Sequence, residues 1–262
     1  MTILLKLGGS LITDKKQSKT FRRDVLSKIV IQLQNIREKY SDKKWIIGHG
    51  SGSFGHIEAS KYDTINGVTS NEQWLGFTKV AYAASELSQL VWSEFIVSDL
   101  PVIRLHPSAS LVSNHGNVEY FDTSTLRQYL DANLIPLVHG DVSLDTRLGG
   151  TIISTESLFQ YIIKHINVEK IILLGEVDGV FNSEGQVITQ ITPKSFETIV
   201  DQLKGASGID VTGGMYQKVY DMLQIVQFHP DLQIVIANGT KPDILHEILH
   251  PDNSIGTTIT ID

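Results

Sequence analysis

Short runs of β-branched and aliphatic residues alternate along this chain with longer stretches whose apolar positions recur every three or four residues. Thr2–Leu7, Trp45–Gly48, Val102–Leu105, Ile135–Val138, Lys170–Leu174 and Gln233–Ala237 read as buried strands. Between the first two, Val25, Leu26, Ile29, Val30, Leu33 and Ile36 share one face of a helix over Arg22–Lys39, leaving its charged residues on the other. Helical patterns also cover Glu72–Phe95, Thr123–Ala132, Ser154–His165, Gly213–Phe228 and Pro242–Leu249, the last opening on a proline suited to a first turn. Such alternation predicts an α/β fold, a three-layer αβα sandwich whose central sheet is mostly parallel, with ligands bound beyond the carboxyl ends of the strands. Val112–Phe121, around Asn114–Asn117, and Val142–Ile152, around Asp145–Gly150, predict two hairpins that decorate the sheet edge as a lid or acceptor wall. No internal repeat or linker divides the chain, so one domain over residues 1–262 is expected.

Composition narrows the function classes. Hydrophobic residues at 41% and charged residues at 19% are the balance of a folded globular protein, and 262 residues suffice for a sizeable core. A net charge of -7 gives no general attraction to nucleic acid or to an anionic membrane, so bound phosphate needs a local site. The absence of cysteine excludes disulfides and thiolate metal sites and fits a reducing compartment. Met1–Leu7 is too short for a signal segment, and no later apolar run approaches bilayer length. A cytoplasmic location is expected, without a nucleic-acid or membrane partner.

Two glycine-rich segments follow neighbouring strands. Lys6-Leu7-Gly8-Gly9-Ser10 lets the backbone approach an anion and sets a lysine beside it. His49-Gly50-Ser51-Gly52-Ser53-Phe54-Gly55-His56 reads as a second loop able to cradle phosphate. Either alone is an ordinary tight turn; together they point to two phosphates handled side by side. Farther on, Asp210-Val211-Thr212-Gly213-Gly214-Met215 precedes a helix whose N-terminus attracts phosphate, with Lys218 leaning back toward it.

Other motifs fail on their context. Gly50, Gly52 and Gly55 satisfy the dinucleotide fingerprint, but the acidic residue at the required distance, Glu72, falls in a helix start and not at a strand end. No P-loop sequence occurs. His246-Glu247-Ile248-Leu249-His250 matches the zinc-hydrolase pattern, yet Pro251 ends that helix and the remaining tail offers no third histidine. Ile244, Leu245, Ile248 and Leu249 make it a packing helix.

Taken together, Lys6–Ser10, His49–His56, Gly140-Asp141-Val142, Val177–Val180, Asp210–Lys218 and Asn238-Gly239-Thr240 resemble the amino-acid kinase superfamily in order and spacing, over nearly the whole chain. Within it, the G-S-F-G-H run ending at His56 and the D-V-T-G-G-M run are similar to the isopentenyl phosphate kinases; the fosfomycin kinases are a rival likeness. The resemblance implies an acceptor lobe over about 1–168 and a nucleotide lobe over about 169–262, with ATP and Mg2+ as cofactors and a homodimer. It implies that Lys6, Gly8, Gly9, Ser10, Gly214 and Lys218 hold ATP phosphates, with Gly52 on the same side. Lys15 would stabilise the transferring group, and Asp178 and Gly179 would lie by the nucleoside. Ser51, Gly52, Gly55, His56, Gly140 and Asp141 would face the acceptor. Three positions depart from the family pattern: Ser51 for glycine, Ser154-Thr155-Glu156 for Ser-Gly-Asp, and Gly175-Glu176 for Thr-Asp.

The chemistry suits that set. Phosphoryl transfer is mostly positioning and charge neutralisation, which Lys6, Lys15 and Lys218 supply with a magnesium ion. A phosphate acceptor, with a second pKa of about 6, needs no strong general base. His56 then serves as a hydrogen-bond donor to it, and Phe77, with Val80 and Ala81, is expected to line an apolar pocket for an isoprenoid tail. A non-catalytic nucleotide-binding module on the same fold is the alternative from another class.

Overall fold

The computed structural model describes residues 1–205 and 214–262. In chain order its elements are β1 Thr2–Leu7, α1 Gly9–Ile12, α2 Arg23–Lys39, β2 Lys44–His49, α3 Gly52–Tyr62, α4 Asn71–Ile96, β3 Val102–Arg104, β4 Val112–Asn114 and β5 Asn117–Tyr120. There follow α5 Thr123–Asp131, β6 Ile135–His139, β7 Asp141–Asp145, β8 Gly149–Ile153, α6 Thr155–Ile162, β9 Val168–Gly175, β10 Gln190–Ile191, α7 Pro193–Gly205, α8 Gly214–Phe228, β11 Gln233–Asn238, α9 Ile244–Leu249 and β12 Thr257–Ile259.

Eight strands form the main sheet in the order β10-β12-β11-β9-β1-β2-β6-β3. From β11 to β3 every pairing is parallel; β12 runs antiparallel to β11, and β10, parallel to β12, forms that edge. Alternation along β1 assigns its side chains. Ile3, Leu5 and Leu7 join the core under α2, α4 and α9, whereas Leu4 joins the core under α6 and α8. Lys6 shares the Leu4 face, which aims it toward α6. The sheet is thus covered on both sides, the three-layer arrangement that the strand–helix alternation predicts.

Four details differ from the sequence expectation. The Gly50–His56 segment is not a loop, because α3 begins at Gly52; Gly9 likewise opens the short α1. The hairpins do not decorate the main sheet edge. They assemble into a second, four-stranded sheet, β5-β4-β7-β8, through a parallel β4–β7 pairing between distant segments. Pro242 lies outside α9, whose cap is Asp243 in a left-handed conformation (φ 53°). Finally, β10 and β12 are too short to read beforehand, whereas α7 goes unpredicted although Phe196, Ile199 and Val200 recur in it at helical spacing.

Asp145 ties the second sheet together. Its carboxylate accepts backbone N–H groups from His115, Gly116, Arg147 and Leu148 at 2.9–3.0 Å and the Ser113 hydroxyl at 2.7 Å. Its burial disfavours the charge, but these donors outweigh that and hold its pKa well below the usual carboxylate range.

Candidate active site

Register brings the carboxyl ends of the central strands level. Leu7 pairs with both His49 and Leu174, and His49 pairs with His139. The residues just past these positions are Gly8, Gly50, Gly175 and Gly140, and Gly239 follows β11. The ladder continues into this glycine row: Gly50 donates to Leu7 O (3.1 Å), Gly8 to Leu174 O (2.8 Å), Gly140 to His49 O (3.2 Å) and Gly239 to Gly175 O (2.9 Å). A floor free of Cβ atoms therefore runs across the sheet where ligands of parallel α/β proteins bind.

The two glycine-rich segments meet on this floor. A Cβ at Gly9 would lie 2.6 Å from Gly52 N, and one at Gly52 (φ +48°) would lie 2.2 Å from Thr13 Oγ1 and 2.8 Å from Gly9 O. The Thr13 hydroxyl locks the junction, donating to Gly9 O (2.7 Å) and accepting from Ser53 N (3.0 Å). Neither Gly8 at the start of α1 nor Ser51 at the start of α3 supplies a side-chain cap, and neither first turn holds an acidic residue. Two uncapped helix starts consequently open at one place, where backbone N–H groups and the helix dipole favour anions.

Cations surround them. Lys6 is buried and its ammonium donates to Glu156 in the first turn of α6. Burial would push the Glu156 carboxyl up, but the charges of Lys6 and Lys218 and the hydrogen bond from Lys6 outweigh it and hold the group below its ordinary value. Lys218, on α8, is thus brought to the same carboxylate. Lys15 stands exposed in the loop between Thr13 and Phe21, which pair as an isolated bridge. His56 sits on α3 at the mouth. Partial loss of water in the cleft, then the charges of Lys15 and Lys6, push its pKa below 6.5, so the free ring is neutral near pH 7.

The remaining expected residues fall in three settings. Ser10 adjoins Gly9 and accepts the Arg22 guanidinium on its carbonyl at 3.3 Å; Arg22 also pairs with Glu176, one of the departures from the family pattern. Asp178 is held by Asn238 (2.9 Å) and Lys241 (2.9 Å), which lower its pKa, and Gly179 packs against Thr257. Phe77 is half-buried on α4, edge-on to Trp74 at 5.3 Å and close over Gly150 of the second sheet, while Val80 is buried. Asp141 is 2% exposed and both its oxygens accept backbone N–H groups. Gly55 packs beneath Ser51. Gly214 begins α8; Asp210, Val211, Thr212 and Gly213 lie outside the described residues. His246 and His250, the zinc-pattern pair, are not part of the one His/Asp/Glu cluster with metal-ligand spacing among the described residues, and His246 instead meets Lys39 at 2.7 Å.

Residues 1–238 match the amino acid kinase family. The chain is 32% identical over 256 residues to the isopentenyl phosphate kinase of Methanocaldococcus jannaschii, covering 95% of each protein. The chain belongs to the amino acid kinase family. The isopentenyl phosphate kinase of Methanothermobacter thermautotrophicus is 30% identical, with 98% of each protein covered. A solved isopentenyl phosphate kinase structure superposes with a TM-score of 0.82 at 27% identity, over 99% of this chain and all of that one.

Family membership and geometry together show what sequence reading overlooked. Thr13 has no motif of its own, and its role depends on contacts across 40 residues of chain. The glycine row was available as a signal, since glycine follows or ends five predicted strands. Glu156 is no such omission: although it departs from Ser-Gly-Asp, its carboxylate is expected to orient the lysines, and it reaches Lys6.

Proposed function

We propose that this chain transfers the γ-phosphoryl group of ATP to isopentenyl phosphate, giving isopentenyl diphosphate and ADP for isoprenoid biosynthesis by an alternative mevalonate route. The observation that carries this reading is His56, set on the uncapped α3 start within electrostatic reach of Lys15 and Lys6. A hydroxyl acceptor would call for a carboxylate base. The carboxylate that Lys6 meets, Glu156, is engaged with cations and so organises the lysines.

In this reading the ATP phosphates lie on Gly8, Gly9 and Ser10, with Lys6, Lys218 and Gly214 around them and Asp178 and Gly179 toward the nucleoside. The acceptor phosphate lies on Ser51, Gly52 and Gly140, with His56 donating to it. Lys15 reaches over from its exposed loop to the transferring group. Its charge, with that of Lys6, offsets the negative charge spread over the equatorial oxygens. The acceptor oxygen is already ionised near neutrality and attacks in line. Asp141, buried and oriented by the Ser108 and Val142 N–H groups, supports the Gly140 turn instead of touching the acceptor. Phe77 and Trp74 wall the space between α4 and the second sheet for the isoprenoid tail.

Magnesium fits as an ion carried by the nucleotide. Glu156 is taken by Lys6, so the phosphates and water would hold the metal, as they commonly do, and it would add charge neutralisation. The acceptor lobe would end near residue 168, at the start of β9. A homodimer and a cytoplasmic setting complete the proposal; no described helix is long and apolar enough to cross a membrane. ADP release with isopentenyl phosphate, dimethylallyl phosphate, fosfomycin, carbamate, acetylglutamate and UMP, each offered separately, tests the substrate. Fast turnover with isopentenyl phosphate is expected; turnover restricted to one of the last four would refute it.

A further inference from the structure

Beside the lysine cluster, at the carboxyl ends of β3 and β6, three potential ligands converge that the reaction above does not use. His106 follows β3, His139 ends β6 and Asp141 begins β7. One ligand atom from each lies within 4.8 Å of the others, the only such cluster among the described residues. His139 is 1% exposed, and neither of its ring nitrogens has a hydrogen-bond partner among the described residues. Burying an imidazole without partners is costly, so these nitrogens ask for a ligand. The His106 ring stands edge-on to it at 5.7 Å and is half-buried, leaving a way in from solvent. Asp141 is oriented by Ser108 N on Oδ2 (3.1 Å) and Val142 N on Oδ1 (2.9 Å), each bond leaving a lone pair on its oxygen.

We propose that His106, His139 and Asp141 bind a divalent transition-metal ion of the zinc class, with water completing its coordination. Two imidazoles and one carboxylate are a donor set that zinc and its neighbours accept. Hard cations fit poorly: calcium wants six to eight oxygen ligands, and magnesium prefers oxygen and water. Arg104 sharpens this choice. Its guanidinium is close enough to disfavour protonation of both rings, and it equally opposes a cation held by charge alone. A metal forming strong bonds to neutral imidazole tolerates that neighbour better. Only Gly140 separates two of the ligands and the third follows β3, so the bound ion ties the end of β3 to the β6–β7 turn.

The test uses the full-length, untagged protein after chelator treatment, titrated with Co2+ or Zn2+ in the presence of excess Mg2+. About one equivalent should bind, Co2+ giving the visible absorption of a low-coordinate histidine site. His139→Ala and Asp141→Asn should each weaken binding by about 100-fold or more. His106→Ala, at a half-buried position, should do the same without loss of folding and so decides the matter if the buried variants fail to fold. The double variant His246→Ala/His250→Ala should bind as the parent does. Absence of binding, or binding lost only in the His246/His250 variant, would overturn the assignment and leave buried water as the partner of His139.

Discussion

The floor of the candidate active site and its rim are built on opposite principles. The floor, where Gly9, Gly50 and Gly52 meet, is backbone against backbone, with Thr13 filling the one gap. The rim is long, exposed side chains: Lys15 from a loop and His56 from α3. At Gly9 and Gly52 the floor leaves no room for a single added carbon, whereas the rim can lose its functional groups without disturbing the fold. Geometry and charge are thereby separable, and substitutions should fall into two classes.

The largest effect is expected at Gly52. Gly52→Ala adds a Cβ at positive φ, against Thr13 and the Gly9 carbonyl, and should cost about 3 kcal/mol in urea unfolding together with most activity. A variant as stable as the parent would break the distinction between floor and rim. Next comes the wall that joins them. Lys6→Met should lower turnover by about 1000-fold and also destabilise the protein, because Glu156 loses its partner in a buried place. Adding Glu156→Gln should restore stability but not turnover; recovery of both would deny Lys6 a chemical role.

How much of this was legible beforehand follows the same division. Strands buried on both faces announced themselves as continuous apolar runs, and α2 by its stripe. On the rim, His56 stands in a family motif, whereas Lys15 lies in none and follows only from the family resemblance. The floor was legible as two paired glycine-rich segments but not in its conformation: the glycines at the starts of α1 and α3 read as loop, since glycine is a poor helix former whatever its backbone does. Thr13 and the β4–β7 pairing were hidden for another reason, as both act between segments far apart in sequence.

The smallest predicted effect is in protons. Free His56 lies below 6.5 and is neutral at pH 7; a bound dianionic phosphate favours its charged form. Acceptor binding near pH 7 should therefore take up a fraction of a proton, and less as pH falls through the free-ring value and the ring is already charged. Calorimetry in buffers of different ionisation enthalpy measures this, and His56→Gln should abolish it. Equal uptake by that variant would place the proton elsewhere.

The most direct test of the rim is His56→Ala, followed by 31P NMR of the reaction with ATP and isopentenyl phosphate and by calorimetry of ATP binding to the same sample. The account predicts that formation of ADP and isopentenyl diphosphate slows by about 100-fold or more while ATP affinity stays within about twofold of the parent. Unchanged product formation, or ATP affinity lost along with turnover, would contradict it.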